Sequence, residues 1–252
     1  MTGSTTKAAC WQLDKNSWSQ SETGSMPRVK TGGVAATDEN RLIVTSGKFQ
    51  ADNHKFTGQV EYWQDQDWTA AVDLPDREAN NNHFGHCIAY AINKEDRNII
   101  HVIGGNVRQK GCITTGNWVK NIEKEWTIVN DEMTAPRKWH SCSTLQNKIY
   151  VLGGWNAENG AALDSSEILD PVSRQFTCGP KLPKPFKFGE SFIYKSALYL
   201  FYVDLGEIYR LAKNGSIWEK LGMFPHLIGK KLKDLTGDAK GAIVLKDTTL
   251  NC

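Results

Sequence analysis

Histidines, cysteines and a recurring arginine are the side chains in this 252-residue sequence whose types and spacing could do chemistry. The histidines stand at 54, 83, 86, 101, 140 and 226. Two imidazoles that hold a metal from one strand need i, i+2 spacing, which keeps both rings on one face, and no two histidines have it. His83 and His86 are three apart, so a strand would send them to opposite faces. His86 and His140 each open an apolar run in similar contexts and could approach one another from neighbouring units. Packing or hydrogen bonding is the ordinary use of such a pair, and no metal site and no cofactor is expected.

The cysteines, at 10, 87, 112, 142, 178 and 252, form no CxxC or CxC pair, which argues against a zinc ribbon and a thioredoxin-like redox motif. Cys87 and Cys142 read as the same place in successive units, with Ser191 there in the next and Gly33 in the first. Small residues suit strands that crowd together, and equivalent points on neighbouring units are expected to lie too far apart for a disulfide. Cys10, Cys112, Cys178 and Cys252 fall near strand ends, where pairing is feasible. The sequence contains no Gly-x-Ser-x-Gly elbow, P-loop or His-Glu-x-x-His, and no catalytic residue is assigned.

The elements that would position these side chains repeat. From Met133 the chain runs through Pro136-Arg137 and Trp139-His-Ser-Cys142 to Lys148-Ile-Tyr-Val-Leu-Gly153-Gly154. Ser166-Glu-Ile-Leu-Asp170 and Gln175-Phe176 follow. The same order returns from Met26, Leu74 and Leu182. An aromatic opens the last strand of each unit at Trp18, Trp68, Trp126, Phe176 and Trp218, a period of roughly 50 residues. Each unit reads as four short strands separated by turn residues, with almost no helical periodicity. A four-stranded sheet that is apolar on both faces must stack on its neighbours, and radial stacking leaves only short edges.

The double glycine after an apolar strand, the Glu-Ile-Leu-Asp segment and the aromatic several residues later resemble the Kelch family. The resemblance covers nearly the whole chain. It is strong in the unit from Met133, good in that from Leu74, altered to Ser46-Gly47 in that from Met26, and loses its glycines to Tyr202-Val203 in that from Leu182. It implies an all-β propeller of antiparallel four-stranded blades, a single domain over 7–252. The units are approximately 25–74, 75–132, 133–181 and 182–222, with a composite blade joining 223–252 to 7–24. That makes five blades, or a truncated six-bladed ring.

The resemblance implies a non-catalytic protein-binding module. The alternative is an enzyme on a galactose oxidase-like propeller, whose copper site would need two histidines and two tyrosines. A third reading is a secreted kelch-like protein that binds glycans or extracellular partners. Arg28, Arg77 and Arg137 recur at the start of three units, either as a rim gripping the carboxylates of an acidic peptide or as donors to carbonyls of the neighbouring blade. Trp139, Trp155 and Asn156 complete the expected contact surface.

Composition narrows the partners. Thirty Lys+Arg balance 28 Asp+Glu, and no basic stripe points to nucleic acid. The apolar runs have the length of strands rather than of a spanning helix. A protein or acidic-peptide partner and a monomeric domain are expected. Cytoplasmic and secreted locations both stay open, with a lean to the extracellular. Asn214-Gly-Ser216 is a glycosylation tripeptide on an expected turn.

Overall fold

The computed structural model describes residues 11–14, 17–20, 30–31, 34–37, 42–45, 48–49, 58–65, 67–71, 73–74, 85–94, 98–105, 117–120, 127–129, 133–156, 158–224, 232–237 and 243–247. The chain opens with β1 (Trp11–Asp14), β2 (Ser17–Gln20), β3 (Lys30–Thr31), β4 (Val34–Thr37), β5 (Leu42–Thr45), β6 (Lys48–Phe49), β7 (Val60–Gln64) and β8 (Asp67–Ala70). It continues with β9 (Cys87–Ile92), β10 (Asn98–Ile103), β11 (Asn117–Lys120), β12 (Thr127–Val129), β13 (Ser141–Leu145), β14 (Lys148–Leu152), β15 (Trp155–Asn156) and β16 (Ala161–Ala162). Then come β17 (Ser166–Asp170), β18 (Gln175–Cys178), β19 (Glu190–Tyr194), β20 (Ala197–Tyr202), β21 (Glu207–Leu211), β22 (Trp218–Met223), β23 (Leu232–Gly237) and β24 (Ile243–Asp247). A 3-10 turn, Val203–Leu205, is the only helical element among the described residues.

Four antiparallel four-stranded sheets carry the architecture: β4-β5-β7-β8, β9-β10-β11-β12, β13-β14-β17-β18 and β19-β20-β21-β22, here the first to fourth blades. β1-β2, β3-β6, β15-β16 and β23-β24 are two-stranded. The apolar contacts lie mainly between blades. Ile43 and Val60 of the first pack with Ile88, Ile100 and Val102 of the second. Ala89, Ala91 and Ile103 of the second meet Ile149, Val151 and Leu169 of the third. Leu152 of the third joins Leu198, Leu200 and Leu211 of the fourth. Each such leucine, isoleucine or valine, withdrawn from water, contributes about 1.5–3 kcal/mol, and an isolated blade would forfeit most of it.

The double glycine is where one blade lets the next pass. Gly104, Gly105, Gly153 and Gly154 all have positive φ. A Cβ on Gly153 would stand 2.5 Å from the Phe186 carbonyl oxygen, and one on Gly104 would stand 2.7 Å from the Arg137 carbonyl oxygen. The N–H groups of Gly105 and Gly154 donate to the carbonyls of Arg137 and Phe186, at 2.9 and 2.6 Å. The segment leading into the following blade therefore crosses directly over the glycines. In the fourth blade, Tyr202-Val203 take their place and the chain turns through Val203–Leu205 into Gly206 at φ 63°.

One expectation is overturned here. Cys87 and Cys142 form a disulfide, with Cα atoms 5.8 Å apart. They are not repeat-equivalent. Cys87 pairs with Ile103, and the counterpart of Ile103 before the next double glycine, Leu152, pairs with Ser141. Cys142, opposite Val151, matches Ile88 and Ser191 instead. Successive strand residues point to opposite faces, so this one-residue offset turns Cys87 towards the third blade and Cys142 back towards the second. At the next interface the same two positions hold Ser141 and Ser191, whose hydroxyls are 2.8 Å apart.

Candidate functional site: an aromatic and cationic rim

The segments that lead into the second, third and fourth blades lie side by side at one end of the sheets. Gly85, Trp139 and Phe188 each stand two residues before a first strand, and all three have left-handed backbone, with φ of 70°, 56° and 56°. The Trp139 N–H donates to the Gly85 carbonyl at 2.7 Å, and the Phe188 N–H donates to the Trp139 carbonyl at 3.1 Å. Glycine adopts this conformation without penalty, whereas a bulky residue adopts it only where its surroundings fix it, at a cost of about 1–3 kcal/mol.

The two aromatic rings meet with centroids 4.6 Å apart. The Lys138 ammonium lies 4.2 Å from the Trp139 ring centre. Lys187 reaches across the blade boundary, 4.7 Å from the Trp155 ring and 6.0 Å from that of Phe188. Trp155 is held in place by reciprocal backbone bonds with Lys138 of 3.1 and 2.7 Å. Phe188 is 53% exposed, Lys187 is exposed, and Trp139, Lys138 and Trp155 are half-buried. Two cations over three rings make a surface that attracts carboxylates while offering flat apolar area beside them.

Of the residues expected from the sequence, Trp139 and Trp155 lie on this rim. Arg28 and Arg77 lie outside the described residues. Arg137 does not belong to a contact surface, because it is fully buried. Its Nη1 donates to the carbonyls of Gly153 at 2.9 Å and Ser165 at 3.2 Å, and its Nη2 makes a short ion pair with Glu167. The Glu167 Oε2 also accepts the Thr134 N–H at 2.8 Å. Arg137 thus satisfies carbonyls, but those of its own blade rather than of the neighbouring one. Burial pulls its pKa below the usual arginine value, and Glu167 opposes that pull. Asn156 is likewise buried, with its Oδ1 accepting the Glu158 N–H at 2.8 Å to close its own loop. Sequence reasoning missed Phe188, Lys138 and Lys187. The signal was available in the alignment of Pro136-Arg-Lys-Trp139 with Pro185-Phe-Lys-Phe188.

The two repeat-equivalent histidines are ties between blades. His86 Nε2 is 2.9 Å from the Thr45 hydroxyl, and His140 Nε2 donates to the Ile103 carbonyl at 3.0 Å. Thr45 and Ile103 end the second strands of the preceding blades. Burial, with Arg137 and His86 nearby, pushes the His140 pKa down to about 3, so the ring is neutral at physiological pH. Among the described residues no group of three or more His, Cys, Asp or Glu side chains could hold a metal ion. No helix among them is long and apolar enough to cross a membrane.

Stacked four-stranded antiparallel blades of this kind define a β-propeller. A solved structure, that of YjhT, shares the fold with a TM-score of 0.64, covering 79% of this chain and 67% of that one at 15% identity. The kelch motif model matches residues 136–183, which take in the rim residues Lys138, Trp139 and Trp155. An F-box/kelch-repeat protein of Arabidopsis thaliana is 33% identical over 63 residues, 25% of this chain and 16% of that protein's length. With the repeats and blades described above, these matches support a kelch-repeat β-propeller.

Proposed function

We propose that this kelch propeller is a non-catalytic interaction module that binds an acidic peptide segment of a partner protein on the Trp139–Phe188 rim. The observation that carries the reading is two large aromatics kept in left-handed backbone where glycine serves at Gly85, each ring close to a lysine. Strain of that kind persists where the surroundings over-determine it, and such positions cluster at ligand-binding surfaces. The acidic partner expected from an arginine rim is retained, with Lys138 and Lys187 taking the place of Arg137.

The test is a screen of the purified full chain against Glu-rich and Asp-rich peptides, with and without a flanking aromatic, by fluorescence anisotropy. Phe188→Ala should weaken the best binder at least tenfold, as a hot-spot aromatic does. Lys187→Glu should slow association and reverse its dependence on salt. Binding that is indifferent to both substitutions places the contact elsewhere on the molecule.

A further inference from the structure

We propose that Asn214 is an acceptor for an N-linked glycan and that the chain matures in an oxidising secretory compartment. Two independent features converge on this. Asn214-Gly215-Ser216 is the sole Asn-x-Ser/Thr tripeptide in the sequence, and it forms the tip of the turn between β21 and β22. Separately, Cys87 and Cys142 are joined across the second and third blades, 55 residues apart in sequence. A bond of that kind forms and persists where thiols are oxidised, and reducing cytosol disfavours it.

The turn keeps the tripeptide at the surface. Asn214 and Ser216 are exposed, and the space where a Gly215 side chain would project is empty to 4 Å. Gly215 takes φ 71°, and its N–H donates to the Ala212 carbonyl at 2.8 Å. The Ala212 N–H donates to the Ile217 carbonyl at 2.9 Å, closing the hairpin. The Asn214 Oδ1 accepts the Ser216 N–H at 3.1 Å, and the Nδ2 amide has no partner among the described residues. In the modification, Nδ2 attacks the anomeric carbon of an oligosaccharide carried on a lipid diphosphate. The N–C bond forms, the bond from that carbon to the diphosphate oxygen breaks, and the amide proton passes to a base of the transferase. The lipid diphosphate is the leaving group.

Strand direction sets where the glycan would stand. The rim residues precede first strands, so Trp139 and Phe188 lie at one end of the sheets. The β21–β22 turn closes third and fourth strands at the opposite end. A glycan at Asn214 therefore shields the face away from Trp139 and Phe188, and the inference stands whether or not that rim binds a peptide.

Peptide mass spectrometry on the chain purified from its native source is the deciding experiment. Alkylation before reduction accompanies amidase deglycosylation in heavy-oxygen water. The expected result is Asn214 converted to heavy-oxygen aspartate, together with a Cys87–Cys142 linked peptide that separates only on reduction. The full chain expressed with a cleavable leader in eukaryotic secreting cells should lose all glycan in both Asn214→Gln and Ser216→Ala. Ser216→Thr should keep or raise occupancy, which separates loss of the acceptor from a folding defect. Unmodified Asn214 in the native protein, or thiols at 87 and 142 that alkylate without reduction, would overturn the proposal.

Discussion

The third and fourth blades fill one position in two chemically opposite ways. In the third, the space beneath the connection from second to third strand holds the Arg137 guanidinium, clamped by Glu167 and two carbonyls. In the fourth, Phe186 replaces Arg137 and Tyr209 takes the strand position of Glu167, opposite Leu200 as Glu167 is opposite Val151. Tyr202, standing where the third blade has Gly153, completes an aromatic cluster. Its ring is edge-on to Phe186 at 5.1 Å and to Tyr209 at 5.4 Å. The fourth blade keeps a glutamate, Glu207, but two residues earlier on its strand. There it binds Lys184 and Lys220 at 2.7 and 2.6 Å and accepts the Tyr209 hydroxyl at 3.0 Å. The blade backbone fixes the volume to be filled and leaves the chemistry open. A buried ion pair and a packed apolar group of similar size are often near equivalence in net stability, although breaking the pair is costly.

That contrast can be broken most severely in the third blade. Arg137→Leu leaves the Glu167 carboxylate and two carbonyls buried without their donor. A loss of about 3–5 kcal/mol in urea-melt stability is expected. The double variant R137F/E167Y, which imports the fourth blade's solution, should lose less than either single substitution. An additive loss would mean that the pair is not the unit that matters.

The blade interfaces sharpen the comparison at a somewhat smaller scale. C87S/C142S should lower stability by about 2–4 kcal/mol, since the bridge closes a long loop in the unfolded chain. S141C/S191C places cysteines at the matching positions between the third and fourth blades. It should form a second disulfide under mild oxidation, read by thiol titration. Free thiols there would show that the two interfaces differ in geometry and not only in chemistry.

Acid separates the two blades by the pH at which each loses stability. The folded chain holds His140 neutral down to about pH 3, while the unfolded chain protonates it near its ordinary value of 6.5. Stability should therefore fall as pH drops through that window, by at most about 1.4 kcal/mol per pH unit for the one proton. Glu207 is held down at about 2 by hydrogen bonds from Lys184 and Lys220, against an ordinary 4.5. Its contribution is present above about pH 4.5 and is lost as pH falls towards 2, with partly exposed lysines and added salt reducing its size. Melts against pH should lose the upper slope in His140→Gln and the lower one in Glu207→Gln.

The blades were legible in the sequence because their markers are local. A strand, a double glycine, a glutamate and an aromatic each report on the next few residues, and the sheets follow from them. The residues that fill the spaces between blades were harder to read. Arg137 reads in the sequence either as a rim residue or as a donor to the neighbouring blade's carbonyls, because it recurs with Arg28 and Arg77 at unit starts while its partner Glu167 lies 30 residues on. Aligning the cysteines to one another hid the one-residue offset that lets Cys87 and Cys142 meet. The paired histidines carry that offset, since Cys87 follows His86 by one residue and Cys142 follows His140 by two, and both histidines reach back to the end of the preceding blade's second strand. Phe188 was passed over because a phenylalanine between Lys187 and Gly189 carries no polar marker, and its exposure is set by backbone sign rather than by composition.

The Cys87–Cys142 bridge also determines how the molecule would behave under tension. Pulled by its ends, the oxidised chain transmits force across the bridge and not through the 55-residue span it closes. Roughly 190 Å of contour length would thus stay out of reach of the load until a reductant cut the bond. The bridge makes that stretch a reserve of extension, released by chemistry and not by force.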